Sequence, residues 1–362
     1  MQQQSRAKDR QSDKLDGVQF GRGIAACLVV LYHAGRMLVL PQYVGHDWAT
    51  KSLFAFGNAG VDFFFVLSGF IIFYVHQRDI GRPNRLGHYL WRRVTRIYPM
   101  YWVAMAAIVA LAVLKRDWAA LAVGHFVTSI LLIPSDQNPI LDVGWTLTHE
   151  VLFYAVFAAA ILSRRLGVLL GLTWLGLTVA GLFETSGISF LRFAADPYHF
   201  EFAFGILAAL ATRRYKPSGA WTAAVAGIVL FACIAALVDW HSLSGAEPIC
   251  RILFGFASAM ILYGVSVSEN LRQIRFPNWA AYLGAASYSI YLMHTIVVGF
   301  AARALFKIQA FHDLPNVAFL IAATAGIAAG CAAYQFIEKP LQKIVRHQPV
   351  RLGGTPVAVP RI

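Results

Sequence analysis

Long apolar runs dominate the chain, and polar residues collect in the gaps between them. A bilayer core of ~30 Å needs about 20 predominantly apolar residues in one helix. Ten segments fit that pattern, at 20–40, 57–76, 97–114, 147–163, 167–183, 197–212, 220–239, 249–267, 279–302 and 316–337. They predict an all-α fold, a polytopic transmembrane helical bundle of about ten spans. Residues 119–133 (AALAVGHFVTSILLI) are also apolar but cover only 15 positions, and are expected to be re-entrant or interfacial. A polar stretch at 1–16 and a tail at 346–362, Gly/Pro-rich towards its end, are expected to be disordered, leaving a membrane domain over 17–345. The first span carries Arg22, His33 and Arg36. It lacks the clean apolar core of a cleavable signal peptide and is expected to stay in the mature protein.

Composition strengthens this picture. Hydrophobic residues make up 58% of the 362 and charged residues 14%, against roughly 45–50% and about 25% in soluble domains. Disorder is excluded on those grounds, and a soluble multidomain enzyme is disfavoured because so few charges could not cover its surface. The formal charge is +13, and its distribution explains it. With ten spans, 23 Lys and Arg fall on the side that holds both termini and 8 on the other. The positive-inside rule then places both termini in the cytoplasm. Basic residues concentrated on one membrane face give nucleic-acid binding no support. Cys27, Cys233, Cys250 and Cys331 lie in or beside apolar runs without metal-ligand or CxxC spacing, and read as packing residues.

Few ionisable residues interrupt the spans, so each is a candidate for chemistry. In FGRGIAACLVVLYHAGR, Arg22 and His33 are 11 positions apart, within about 20° of three full helical turns and about 16 Å in rise. They share a helix face, with Arg22 at the membrane surface and His33 near mid-depth. The alternative for His33 is a neutral imidazole held by an interhelical hydrogen bond. GNAGVDFFFVLSGFII places Asp62 near one end and Ser68-Gly69-Phe70 further in. Small residues there also suit close helix packing. Arg36, on the same side of the membrane, is the expected partner of Asp62. WRRVTRIYP carries Arg92, Arg93 and Arg96, of which Arg92 and Arg96 share a face at i, i+4. Arginine forks suit phosphate oxygens, and topogenic charge with lipid headgroup contact is the competing reading. GWTLTHEVLFY offers Trp145, His149 and Glu150; Glu150 equally suits a helix dipole. Glu201 in YHFEFAFG and His294 in ASYSIYLMHT are softer candidates, read as polar pairing. Pro340 of IEKP is expected to stop the last helix. A P-loop, a GxGxxG, an HExxH and a GxSxG elbow are all missing.

Taken in order, FGRGIAACLVVLYH, GVDFFFVLSGFII, RRVTRIYP, GWTLTHEVLFY, EFAFG, SYSIYLMH and IEKP resemble acyltransferase family 3 of bacterial integral-membrane enzymes. The resemblance covers residues 15–345 and is strongest to the exopolysaccharide production and O-acetyltransferase branch, such as O-acetyltransferases of succinoglycan-type polymers. The family's Arg-x10-His pattern falls on Arg22 and His33, its SGF segment on Ser68, Gly69 and Phe70, and its arginine motif on Arg92, Arg93 and Arg96. Its Trp-Ser-Leu-x-x-Glu segment falls on Trp145 and Glu150, with Thr146 in place of Ser. Some members carry a C-terminal extracytoplasmic hydrolase-like domain that has no counterpart here, so acceptor recognition is expected from the bundle.

The resemblance implies a multi-pass protein of the bacterial inner (cytoplasmic) membrane. It would move an acyl group, foremost acetyl, from cytoplasmic acyl-CoA to a hydroxyl of an exopolysaccharide or other surface carbohydrate. Arg22, Arg92, Arg93 and Arg96 would hold the CoA phosphates, and a pantetheine arm of roughly 15–20 Å would bring the thioester to His33. His33 would act as general base or carry the acyl group as an acyl-imidazole, with Glu150, or Asp62 as the weaker candidate, orienting it or binding the acceptor. Ser68, Trp145, His149 and Glu201 would contact substrate. No metal is expected. Partners would be acyl-CoA, a lipid-linked or extracytoplasmic polysaccharide acceptor, membrane lipids and a polysaccharide synthesis complex. Two other classes fit the same buried charges: a secondary transporter for a small polar or anionic solute, and a non-catalytic subunit of a polysaccharide export complex. A transporter of this size is expected to show inverted-repeat symmetry, and no internal repeat is visible.

Overall fold

The structure is a computed structural model and describes residues 15–46, 48, 53–183, 187–240, 244, 245 and 247–346. Apart from residues 15, 16 and 346, the tails expected at 1–16 and 346–362 lie outside the described residues. Among the described residues every regular element is helical. The α-helices are α1 (Asp16–Leu38), α2 (Ala59–His76), α3 (Leu86–Leu114), α4 (Val123–Leu131), α5 (Gly144–Leu162), α6 (Arg164–Gly181) and α7 (Ser189–Ala194). They continue as α8 (His199–Arg214), α9 (Trp221–Asp239), α10 (Pro248–Asn270), α11 (Asn278–Leu305), α12 (Pro315–Ala333) and α13 (Lys339–Arg346).

Eight helical segments among the described residues are long and apolar enough to cross a membrane. They contain α1, α2, α3, α5, α9, α10, α11, and α12 with its continuation to Val345. Two of the ten expected spans fall short of that standard. Helix α8 has 16 residues and rises about 24 Å, less than the ~30 Å hydrocarbon core. Helix α6 begins with Arg164 and Arg165, which lower its apolar character, but it still exposes Val168, Leu169 and Leu172. The same outward apolar face appears at Trp102 on α3, Ile228 and Val229 on α9, and Leu320 on α12. An exterior of this kind suits lipid rather than water. The chain is a multi-pass membrane protein. The 119–133 segment forms a short 3-10 turn, Ala119–Leu121, and the nine-residue α4, too short to cross.

Helices approach closely where small residues face a neighbouring backbone, as is usual between membrane helices. A Cβ on Gly205 of α8 would sit 2.0 Å from the Val66 carbonyl oxygen of α2, and one on Gly69 would sit 2.2 Å from the Phe202 carbonyl oxygen. The packing reading of Gly69 is therefore sound. Gly284 of α11 meets Gln19 of α1 in the same way. The start of α1 is tied down by Glu269 at the end of α10, which accepts from the backbone N–H groups of Asp16 (2.7 Å) and Gly17 (3.0 Å). These N–H groups have no partner within their own helix, and the carboxylate suits the positive end of its dipole. That anchor fixes where Arg22 stands.

The last span does not end at Pro340 as expected. A π-helical turn, Tyr334–Glu338, joins α12 to α13, and Pro340 is the second residue of α13. Proline lacks the N–H for the usual bond to residue i−4, and the wider π turn lies immediately N-terminal to it, where that bond is missing.

Candidate active site

A cavity of about 1250 Å³ runs through the bundle between α1, α2, α3, α5, α11 and α13. On α2 its wall runs from Val61 through Phe64, Phe65, Ser68 and Ile72 to Val75, 14 steps or about 21 Å of helix. One end is basic. Arg22 comes from α1, Arg92, Arg93 and Arg96 from α3, and Lys339 and Lys343 from α13. Asp16 and Glu150 are the carboxylates in the lining. His88, Lys339 and Lys343 are exposed, so the cavity opens at this end. The other end closes on Phe64, Thr146 and Tyr291.

The four arginines predicted to bind phosphate therefore converge, although they come from two helices. Their environments differ. Arg96 is committed to the protein. It donates to Glu338 Oε1 at 2.7 Å and lies 5.0 Å from the Tyr288 ring centroid. Glu338, 1% exposed, also accepts from Ser289 (2.6 Å) and Gln342 (2.6 Å). The guanidinium of Arg93 lies over the rings of Tyr154 (5.5 Å) and Tyr89 (5.9 Å), and its buried Nε makes no hydrogen bond. Ion pairing thus makes Arg96 a structural residue first.

Glu150 and Ser68 also reach the cavity. Glu150 Oε1 accepts from Ser68 Oγ at 2.9 Å and from the Tyr154 hydroxyl one turn along α5. Two donors on one carboxylate oxygen hold its orientation in the middle of the cavity wall.

His33 does not line the cavity. It is half-buried behind the closed end, with its ring centroid 4.9 Å from that of His294. His294 in turn lies 5.8 Å from the ring of Tyr291, which does line the cavity. Both imidazoles are oriented by backbone. His33 Nδ1 is 2.9 Å from the Val29 carbonyl oxygen, and His294 Nδ1 is 2.6 Å from that of Tyr291. A carbonyl oxygen only accepts, so each Nδ1 carries the proton and each Nε2 keeps its lone pair. His294 is fully buried and its Nε2 has no hydrogen-bond partner.

The remaining predicted site residues lie elsewhere. Asp62 is not paired with Arg36. Its Oδ2 accepts from Arg251 of α10 at 2.8 Å, while Arg36 is exposed and lies over the Tyr32 ring. Glu201 adjoins this pair, is 0% exposed, and neither of its carboxylate oxygens finds a donor. His149 pairs with His199 at 2.9 Å and stacks on Phe193, and Trp145 packs on Tyr198. None of these four predicted site residues lines the cavity. Among the described residues no group of three His, Cys, Asp or Glu is placed to hold a metal ion.

Several residues of these clusters carried no usable sequence signal. Arg251 is 189 positions from Asp62, so no spacing links them. Lys339 and Lys343 were legible only as topogenic charge. Tyr154 had a readable signal, its i, i+4 spacing from Glu150.

Comparison with known proteins gives this arrangement its family. The acyltransferase-domain family model matches residues 15–335. The exopolysaccharide production protein ExoZ of Rhizobium meliloti (strain 1021) is 32% identical over 336 residues, covering 90% of this chain and 98% of that protein. The putative membrane-bound transacylase BcsY of Komagataeibacter xylinus is 25% identical over 319 residues, covering 79% of this chain and 72% of its own. No solved structure matches. With the family model matched from the start of α1 into the π-helical turn after α12, the chain belongs to the acyltransferase family that its motifs resemble, and it is an acyltransferase.

Proposed function

We propose that the enzyme moves an acyl group, foremost acetyl, from cytoplasmic acyl-CoA to a hydroxyl of an exopolysaccharide in the bacterial inner membrane. The observation that carries this reading is the cavity itself. Its basic mouth, about 21 Å of lining along α2 and an inner end one side chain from a pair of oriented imidazoles match a phosphate-bearing donor with a long arm. The relation to ExoZ, whose name is exopolysaccharide production protein, supports the acceptor class. In this reading the mouth faces the cytoplasm and both termini lie there, which the charge asymmetry of the chain supports. The chain crosses the membrane ten times, with α6 and α8 as the two crossings beyond the eight longer or more apolar segments.

Arg22, Arg92 and Arg93 hold donor phosphates, while Arg96, tied to Glu338, shapes the mouth. The thioester reaches the end of the cavity beside Tyr291. Movement of that ring connects it with His33. The acceptor oxygen attacks the thioester carbonyl as His33 Nε2 takes its proton. The C–S bond then breaks, and the thiolate takes the proton from the imidazolium to leave as CoA thiol. An acyl-imidazole route uses the same nitrogen. Glu150 lines the path of the arm and orients donor or acceptor. The buried Asp62–Arg251–Glu201 group and the His149–His199 pair support the outer half of the bundle, near the acceptor side.

The test is mass spectrometry of the surface polysaccharide from cells carrying wild type or His33→Ala, with membrane insertion of both verified. Loss of the acyl mass with normal insertion is the expected result. Retained acylation overturns the assignment of His33, and unchanged polysaccharide on deletion of the whole protein overturns the acceptor class.

A further inference from the structure

We infer that the C-terminal helix α13 completes the donor site, with Lys339 and Lys343 binding the phosphomonoester at the nucleotide end of CoA. This rests on the acyl-CoA reading above and goes beyond it by assigning a second basic element that the arginine motif does not include.

Three observations carry it. First, Lys339, Gln342 and Lys343 stand at i, i+3 and i+4, so they share one face of α13, and all three line the cavity. Second, that face is fixed rather than loosely placed. Gln342 donates to Glu338 at 2.6 Å, Glu338 is bound to Arg96 and Ser289, and a π-helical turn, Tyr334–Glu338, immediately precedes Lys339. Single π turns inside helices are frequent at functional sites. Third, the cations are ordered by depth. The guanidinium of Arg93 lies against Tyr154, beside Glu150, whereas both lysines are exposed at the opening.

The order along CoA runs from thioester through pantetheine and diphosphate to the 3′-phosphate of the adenosine. With the thioester at the closed end, the diphosphate comes to the arginines and the 3′-phosphate to the mouth. That group carries about 1.5 to 2 negative charges and three acceptor oxygens. Two ammonium groups one helical turn apart suit it as mobile point charges. Lys339 also donates to Gln335 at 3.3 Å, a weak contact that a phosphate oxygen can replace. The same lysines could instead serve anionic lipid headgroups, and the experiment separates the two.

Purified full-length protein in nanodiscs of zwitterionic lipid is titrated with CoA and with 3′-dephospho-CoA. Wild type is expected to bind CoA about 10-fold or more tighter than dephospho-CoA. The double variant Lys339→Ala/Lys343→Ala is expected to lose that preference while binding dephospho-CoA as wild type does, and Lys339→Arg/Lys343→Arg is expected to keep it. Equal binding of both ligands by wild type, or an unchanged preference in the alanine variant, overturns the lysine assignment while leaving the donor reading intact. The second of those results is also what a lipid-headgroup role gives. Binding of neither ligand by wild type overturns the donor reading and the lysine assignment with it.

Discussion

Arg96 and Glu338 meet at 2.7 Å across 242 residues of sequence, and this pair joins the third helix to the end of the last span. The Glu338 side chain is 2% exposed and that of Arg96 is 23% exposed. Removing one partner of a buried pair typically costs about 3–5 kcal/mol, because the other charge stays buried alone. Glu338→Met is expected to cost somewhat less, since Arg96 retains some solvent. The double variant Arg96→Met/Glu338→Met is expected to recover most of the loss. Thermal unfolding in detergent checks both, and a double variant no better than the single one would mean that Arg96 does more than pair.

Arg251→Met is expected to be the most disruptive single change to the end of the bundle that holds Asp62. It would leave Asp62 and Glu201, both 0% exposed, without their shared cation. A loss of about 3–5 kcal/mol is expected. Arg213→Met, which removes an exposed contact to the Tyr74 carbonyl and ring, is expected to cost about 1 kcal/mol or less. Fluorescence-detected size exclusion after a heat step compares the two.

Tyr154→Phe and Ser68→Ala each remove one donor from Glu150. Hydrogen bonds to a charged group contribute about 1.5–3 kcal/mol. Each variant is therefore expected to lower acyl transfer by about 10-fold or more, and the double variant by less than the product of the two, because both act through one oxygen. Polysaccharide acyl content under limiting expression provides the measurement.

Gly205→Ala is expected to push α8 from α2, since the new Cβ would lie 2.0 Å from a backbone oxygen that cannot move independently. Overpacking of this kind costs about 1–3 kcal/mol. Gly171→Ala, in helix α6 with nothing within 4 Å of the added carbon, is expected to gain about 0.5–1 kcal/mol from helix propensity. A melting temperature that moves the same way in both variants would contradict this account of the α2–α8 contact.

The candidate site was legible in proportion to how local its signals are. Arg92, Arg93 and Arg96 lie within five positions of one helix, and Arg22 and His33 share a face of another, so spacing alone linked them. Arg96 shows the limit of that logic. Its neighbours in sequence suggested phosphate, while its neighbour in space, Glu338, lies 242 residues away. Asp62 shows it again, since the nearest cation by membrane side was Arg36 and the actual partner is Arg251. His294 appeared as a softer polar residue of one span because its contact with His33 lies between helices that are far apart in sequence.

Hydropathy and charge by themselves settled that this chain is a helical membrane protein, because backbone groups in lipid must be satisfied within each helix and that demand is written in every apolar run. They also singled out the few ionisable residues whose burial is expensive enough to require a reason. Which of those residues face one another depended on the folded bundle. Side-chain pairing across helices is set by rotation and close approach at small residues such as Gly69 and Gly205, and neither follows from periodicity. The cavity that gathers Arg22, the α3 arginines, Glu150 and the α13 lysines exists only once those rotations are made.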